Sequence, residues 1–283
     1  TLSFPLKADK YTFFKLEMTE LIDNKQKPQL AELSIDASTE LPYSDYTRTL
    51  DIDNAIHTVM YKENGITFKR EYFMSYPDNV MVMRLTSDSK KGKLSRIISL
   101  ESLHTDKTIT ADSHTITMTG YPTPVSGDKR VGDAWKNGLK YAQQLVVKNK
   151  GGKISVVDGT KLKVEDADEI IVLMSAATNY VQCMDDSYNY FSQEDPLEKV
   201  QAMLHKVADK KYTALLATHQ KDYHSLYDRM RLNLGNLPEA PVAPTDSLLK
   251  GMDENTNSEQ ENQYLEMLYF QFGRYLLISS SRE

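Results

Sequence analysis

The sequence predicts a mainly β chain that turns α-helical toward its end: an antiparallel sandwich, then a helical hairpin, then a long core helix. Three observations carry this. From Leu2 to Ser175 short apolar runs alternate with polar residues at a period of two and are separated by turn signals. Beyond Asn179 the hydrophobic period lengthens to 3.6. The last stretch, Glu261 to Glu283, is apolar on nearly every side, the pattern of a helix buried in a large protein.

The strands can be taken in order. Ile66, Phe68, Tyr72, Met74 and Tyr76 alternate with Thr67, Lys69, Glu71 and Ser75, which predicts a half-buried strand with Arg70 as the polar residue on its apolar face. Glu63-Asn64-Gly65 before it signals a hairpin turn. Val80 to Leu85 is apolar on both faces apart from Arg84, so it is expected between two layers. Leu94, Ile98 and Leu100 alternate again, and Ile116 and Met118 mark a short strand. Leu139, Tyr141, Leu145 and Val147 continue the pattern; Ile154 and Val156 turn at Asp158-Gly159 into Leu162 and Val164. Ile170 to Met174 is a fully buried run. Roughly ten such strands joined by turns make a large antiparallel sandwich. Gly120 to Gly138 breaks the rhythm with Tyr121, Pro122, Pro124, Gly127, Gly132 and Trp135. Two readings stand: a surface loop with Trp135 packed over an edge, or a loop that leans on a neighbouring domain or a sugar face.

Asp195-Pro196 starts the first helix, aspartate as cap and proline at the first helical position. Leu197, Val200, Leu204, Val207 and Ala208 form its buried stripe, and Leu215, His219, Tyr223, Leu226, Tyr227 and Met230 that of a second. Two helices joined by a short turn make a helical hairpin. Pro238, Pro241 and Pro244 read as a semi-rigid linker. Thr245 is expected to cap a short helix at Asp246–Met252. In the last helix Leu265, Leu268, Phe272 and Leu276 share one face, with Tyr264, Met267, Phe270, Tyr275 and Leu277 opposite; Gln271, Gly273 and Arg274 interrupt the run and leave it too short to span a bilayer. A core helix with so little sequence after it reads as the start of a further domain, and Thr1 to Pro5 reads as the inside of one, without a signal-peptide pattern.

The chain has 283 residues, 40% of them hydrophobic, and a net charge of -6 from 34 basic and 40 acidic side chains. That balance points to neither nucleic acid nor an anionic membrane. Cys183, the single cysteine, excludes an internal disulfide and has no nearby histidine to make it a nucleophile. His219 and His224 are five apart, not the four of a helical metal pair, and His219 lies on the apolar stripe as a packed core residue. His57, His104, His114 and His205 have no partner at ligand spacing. Asp51 and Asp53, alternating on one side of a strand, and Asp185-Asp186 in a loop could bind a cation or act as acid and base, but with 40 acidic residues such pairs arise by chance. Gly151-Gly152 is a hairpin turn rather than a phosphate loop, and Ser279, Ser280 and Ser281 lack a G-x-S-x-G elbow. No catalytic residue, cofactor-binding residue or metal ligand is assigned.

Two stretches carry a resemblance. Leu268-Tyr269-Phe270-Gln271-Phe272-Gly273-Arg274-Tyr275-Leu276-Leu277-Ile278-Ser279-Ser280-Ser281-Arg282 resembles the opening helix of the catalytic barrel in glycoside hydrolase family 95, the α-L-fucosidases and related α-L-galactosidases. His219 to Gly235 is similar to the helix that joins the N-terminal sandwich of that family to its barrel. Tyr46 to Ile52 and Arg70 to Val80 look like strands of the same sandwich. The resemblance implies a β-super-sandwich over residues 1–180, a helical linker over 181–236 and the start of an (α/α)6 barrel over 237–283. It also implies an inverting hydrolase of fucosylated glycans in a periplasmic or extracellular setting. A glutamate would be the general acid, and asparagines with an aspartate would hold the attacking water. All of these would lie downstream of the Ser279–Arg282 motif, and no cofactor is implied. The family's opening glycine-rich G-N-G-R-L-G segment is not found before Thr1. The expectation is a fragment that is inactive alone. The alternatives are a stand-alone carbohydrate-binding or interaction sandwich, and a piece of a related disaccharide phosphorylase.

Overall fold

The computed structural model describes residues 43–89, 94–122, 138–182, 190–234 and 243–282. Trp135, Cys183, Asp185, Asp186, Pro238 and Pro241 lie outside them. Eleven strands are described: β1 (Ser44–Asp51), β2 (Ile56–Glu63), β3 (Ile66–Ser75), β4 (Val80–Ser87), β5 (Leu94–Ile98), β6 (Lys107–Asp112), β7 (Thr115–Gly120), β8 (Tyr141–Lys150), β9 (Lys153–Val157), β10 (Lys161–Ala167) and β11 (Glu169–Thr178). Four helices follow: α1 (Pro196–Val207), α2 (Tyr212–Tyr227), α3 (Thr245–Asp253) and α4 (Glu259–Ser280). The mainly-β-then-α class is the one expected.

Eight strands form one sheet in the order β1-β2-β3-β4-β11-β8-β7-β6, and three form a second, β5-β10-β9. Neighbours pair antiparallel, as β11 does with both β4 and β8. β11 takes a central place because it is apolar on both faces. Ile170 and Val172 join Phe68, Leu85, Leu145, Leu162 and Val164 in the core that includes both sheets. Leu173 faces the other way, with Phe73, Val80, Val82 and helix residues Val200, Leu204, Val207 and Leu215. The large sheet is therefore a middle layer. Each fully buried large side chain contributes about 1.5–3 kcal/mol.

The turns follow their residues. Asn64 and Gly65 between β2 and β3 both have positive φ, 51° and 75°, which a two-residue hairpin needs to match strand twist. The Asp195 side chain accepts from the Leu197 N–H at 3.0 Å, with Pro196 inside the first turn of α1. Ser258 and Glu261 cap each other reciprocally at the start of α4.

Several local expectations change. β3 is covered on both faces: Phe73 and Ser75 are buried, while Met74, expected inside, is 65% exposed. The helical layer over the Phe73 side is what the period of one strand cannot reveal. The α2 stripe stops at Tyr227, and Met230, beyond the helix, is exposed. Thr245 does not cap α3; the Pro244 carbonyl already accepts the Leu248 N–H at 3.0 Å, so Thr245 is the first helical residue. β6 was hidden by its exposed, polar composition.

Candidate functional site

Three elements converge at a concave part of the described surface: the β3–β4 hairpin end, α2 and the last turns of α4. A cleft of about 550 Å³ opens there, lined by Phe73, Tyr76, His219, Asp222, Tyr223, Tyr275 and Arg282 among others. Its construction begins in the β1–β2 loop. Asp51, the last residue of β1, accepts the N–H groups of Asp53 and Asn54 at 3.0 and 3.1 Å and the Asn54 side-chain amide at 2.8 Å. This aspartate turn corrects the expected strand pair: Asp53 is already in the loop, and the Asp51 carboxylate is occupied in shaping it.

The shaped loop presents Asn54 to α2. The His219 Nε2 lies 3.0 Å from the Asn54 carbonyl and 3.2 Å from that of Ala55, so this nitrogen carries the proton and donates. The ring stacks on Phe73 with centroids 4.8 Å apart. Burial pushes the His219 pKa below its ordinary value, against the opposing pull of backbone carbonyls at Asn54, Ala55 and Met74. Gln220 donates to the Asn54 side-chain oxygen at 3.1 Å, and His224 Nε2 reaches the same oxygen at 3.1 Å. The two histidines thus close on one residue through different atoms. The Tyr223 hydroxyl donates to the Ile52 carbonyl at 2.6 Å, and burial raises its pKa. Tyr227 is pushed up to about 12, mainly by burial and then by the nearby Asp53 carboxylate.

α4 docks through the residues that interrupt its apolar run. Gln271 is buried. Arg274 donates to the Tyr227 carbonyl at 2.8 Å and the Met230 carbonyl at 2.6 Å, and its guanidinium lies 4.9 Å over the Tyr227 ring. The first of these contacts covers the open carbonyl of the last residue of α2. Two residues beyond α4, Arg282 pairs with Asp222 of α2.

Of the remaining candidates, His57 and Ser279 line the same cleft, with the His57 ring tilted against Tyr72. The others are not brought there: His104 tilts against Tyr141, and His114 Nδ1 lies 3.3 Å from the Ser113 hydroxyl. Gly151 and Gly152 form the β8–β9 turn. The Ser280 hydroxyl donates to the Leu276 carbonyl of its own helix. Among the described residues no group of three or more histidines, cysteines or carboxylates could hold a metal. No helix among them is long and apolar enough to cross a membrane. Sequence reasoning missed Asn54, Phe73 and the docking roles of Gln271, Arg274 and Arg282. The Asp51-Ile-Asp-Asn54 turn was a readable signal for the first; nothing local announces the others.

Chemically, the site is a joint. The Asp51 and Asp222 carboxylates serve a turn and an ion pair, burial favours the neutral form of His219, and the Tyr223 hydroxyl donates to backbone. The architecture is thus a β domain ahead of a helical one, with α1 packed on β8 and β11, and α2 on β3 and α4. Residues 8–183 match the family model described as glycosyl hydrolase family 65, N-terminal domain, and residues 211–283 match that of the glycosyl hydrolase family 95 catalytic domain. The first of these matches spans more than half of the chain, which therefore belongs to the family of that N-terminal domain, and the second match and the relatives below support a family-95-like assignment. It is 30% identical over 259 residues to a protein named probable alpha-fucosidase A from Aspergillus niger, covering 89% of this chain and 30% of that one. It is 33% identical over 254 residues to alpha-L-fucosidase 2 from Arabidopsis thaliana, covering 84% of this chain and 29% of that one. The chain thus spans about three tenths of the length of these curated relatives.

Proposed function

We propose that this chain is the sandwich, linker and opening barrel helix of an inverting α-L-fucosidase-like hydrolase of fucosylated glycans. Its own residues build and aim the catalytic domain rather than cleave the bond. The observation that carries this is the docking of α4, which lies with α2 and α3 in the segment 211–283 matched to the family 95 catalytic domain. α4 is held to α2 by Arg274 and Arg282, while α2 is held to the sandwich by His219 and Tyr223. An inverting mechanism needs an acid on one side of the glycosidic bond and an activated water on the other. In this reading the joint fixes where the helices bearing those groups begin, and the groups themselves lie beyond Glu283. The names of the relatives support the choice of fucose.

The test compares this chain with a full-length protein extended to the relatives' length. Both are incubated with a fucosyl-α-1,2-linked disaccharide and free fucose is measured. The extended protein should release fucose and this chain should not. Turnover by this chain at a comparable rate would show that the chemistry has been misplaced.

A further inference from the structure

After β11 the backbone forms a small fastened bridge before it reaches α1. Tyr180 pairs antiparallel with Phe191. The Val181 N–H donates to the Tyr190 carbonyl at 2.9 Å, and the Ser192 N–H to the Asn179 carbonyl at 2.8 Å. Asn179 is buried. Its side chain accepts from the Lys140 N–H at 2.7 Å and donates to the Gly138 carbonyl at 2.9 Å. Phe191 lies so close over Gly138 that a Cβ there would come within 2.3 Å of the ring. The bridge is therefore rigidly mounted on the end of β8.

Two large side chains point away from this mounting. Tyr180 is 53% exposed and Tyr190 47%. Their rings lie within 10° of parallel with centroids 6.4 Å apart. Tyr190 holds this position with a φ of 61°, a conformation that costs a bulky residue and persists only where its surroundings impose it. Thr178, Gln193 and Glu194 beside them are exposed and polar. The result is a small aromatic island with a polar rim, too limited in extent for a large apolar partner.

We propose that the outward faces of the stacked Tyr180 and Tyr190 rings form a platform that binds an uncharged pyranose ring. A sugar face lined by C–H groups is weakly positive and apolar, which suits the negative face of an aromatic ring. The hydroxyls around that face stay solvated or meet the tyrosine hydroxyls at the rim. Tyrosine supplies such area with few rotatable bonds, and the fastened backbone lowers the ordering cost further. The platform shares no residue with the cleft between the sandwich, α2 and α4. Binding there needs no bond cleavage by this chain, so it can succeed or fail independently of fucose release.

The experiment titrates lactose, maltose and a fucosyl-α-1,2-linked disaccharide into this chain and follows tyrosine ring signals by NMR. At least one sugar should give saturable shifts at Tyr180 and Tyr190. Tyr180→Ala and Tyr190→Ala should each weaken binding by about threefold to tenfold. The Tyr→Phe variants should keep most of it, with thermal unfolding unchanged. Absence of saturable shifts at these rings with all three sugars overturns the proposal, as does equal binding by the double alanine variant. If the alanine variants fail to fold, the ring shifts of the unaltered chain and the phenylalanine variants still decide.

Discussion

The guanidinium of Arg282 lies 4.2 Å from the centroid of the Tyr76 ring while pairing with Asp222. One side chain therefore ties the segment after α4 to α2 and to the β3–β4 hairpin end. Both partners of the ion pair are largely buried, with side-chain exposures of 15% and 25%, so solvent screens them less than a surface pair. Arg282→Ala should cost roughly 1–3 kcal/mol, mostly by leaving Asp222 without its donor. Arg282→Lys should fall between, because an ammonium keeps the charge but loses the planar stack. Hydrogen exchange is the sensitive readout. The last turns of α4 should lose protection in the alanine variant before the sandwich does, and equal protection would show that Arg282 does not hold the helix.

His219 makes the joint sensitive to acid. Its pKa is lowered in the folded chain, chiefly by burial. The unfolded chain therefore takes up this proton more readily, and stability falls as pH drops below the ordinary value of 6.5. The loss develops between that value and the lower folded one, and it levels off below both. Asp222, which faces the histidine, is held by Arg282 and opposes the shift in part. His219→Gln should flatten this part of the profile while keeping a donor toward Asn54 and Ala55. Urea midpoints across pH 5 to 8 provide the check; parallel profiles for the two proteins would remove His219 as the cause.

Two turn glycines should differ in cost. Gly65 has a φ of 75°, but a Cβ there would meet nothing within 4 Å. Gly65→Ala should therefore cost only the left-handed strain, about 1–2 kcal/mol. Gly152 has a φ of 66°, and its Cβ would come within 2.1 Å of the Glu165 carbonyl oxygen and 2.7 Å of the Ala167 nitrogen. Backbone cannot step aside as a side chain can. Gly152→Ala should cost roughly 2–5 kcal/mol by adding overpacking to strain. Urea denaturation of both variants tests the order, and a Gly65→Ala loss as large as that of Gly152→Ala would contradict it.

The same contrast between local and distant causes decides what the sequence shows. Ile170 to Met174 announces a central strand because two covered faces require five apolar residues in a row. Asn64-Gly65 and Asp195-Pro196 announce a hairpin and a helix start because each is a property of adjacent residues. Phe73 could not be placed, since its partners Tyr212 and His219 belong to a helix far along the chain. Arg274 reads as an interruption of an apolar run until Tyr227, 47 residues earlier, supplies its carbonyl. The joint is composed almost entirely of such distant pairings. The resemblance of 219–235 and 268–282 to one family located the joint without explaining it.

α4 still carries an open apolar side. Tyr269 is 80% exposed and Leu277 65%, and Phe270, Phe272 and Leu276 are also exposed. Gln271 and Arg274 take the docked side, so the outer residues cannot turn inward without breaking the contacts to α2. Burying one such side chain is worth about 1.5–3 kcal/mol, enough for several together to drive association. The purified chain should therefore self-associate as its concentration rises. The double substitution Tyr269→Glu and Leu277→Glu should abolish this with little change in thermal stability, because neither residue packs in the fold. Sedimentation velocity over a range of concentrations is the measurement. A chain that remains monomeric throughout, or a double variant that associates as strongly, would show that the outer side of α4 is not the adhesive surface.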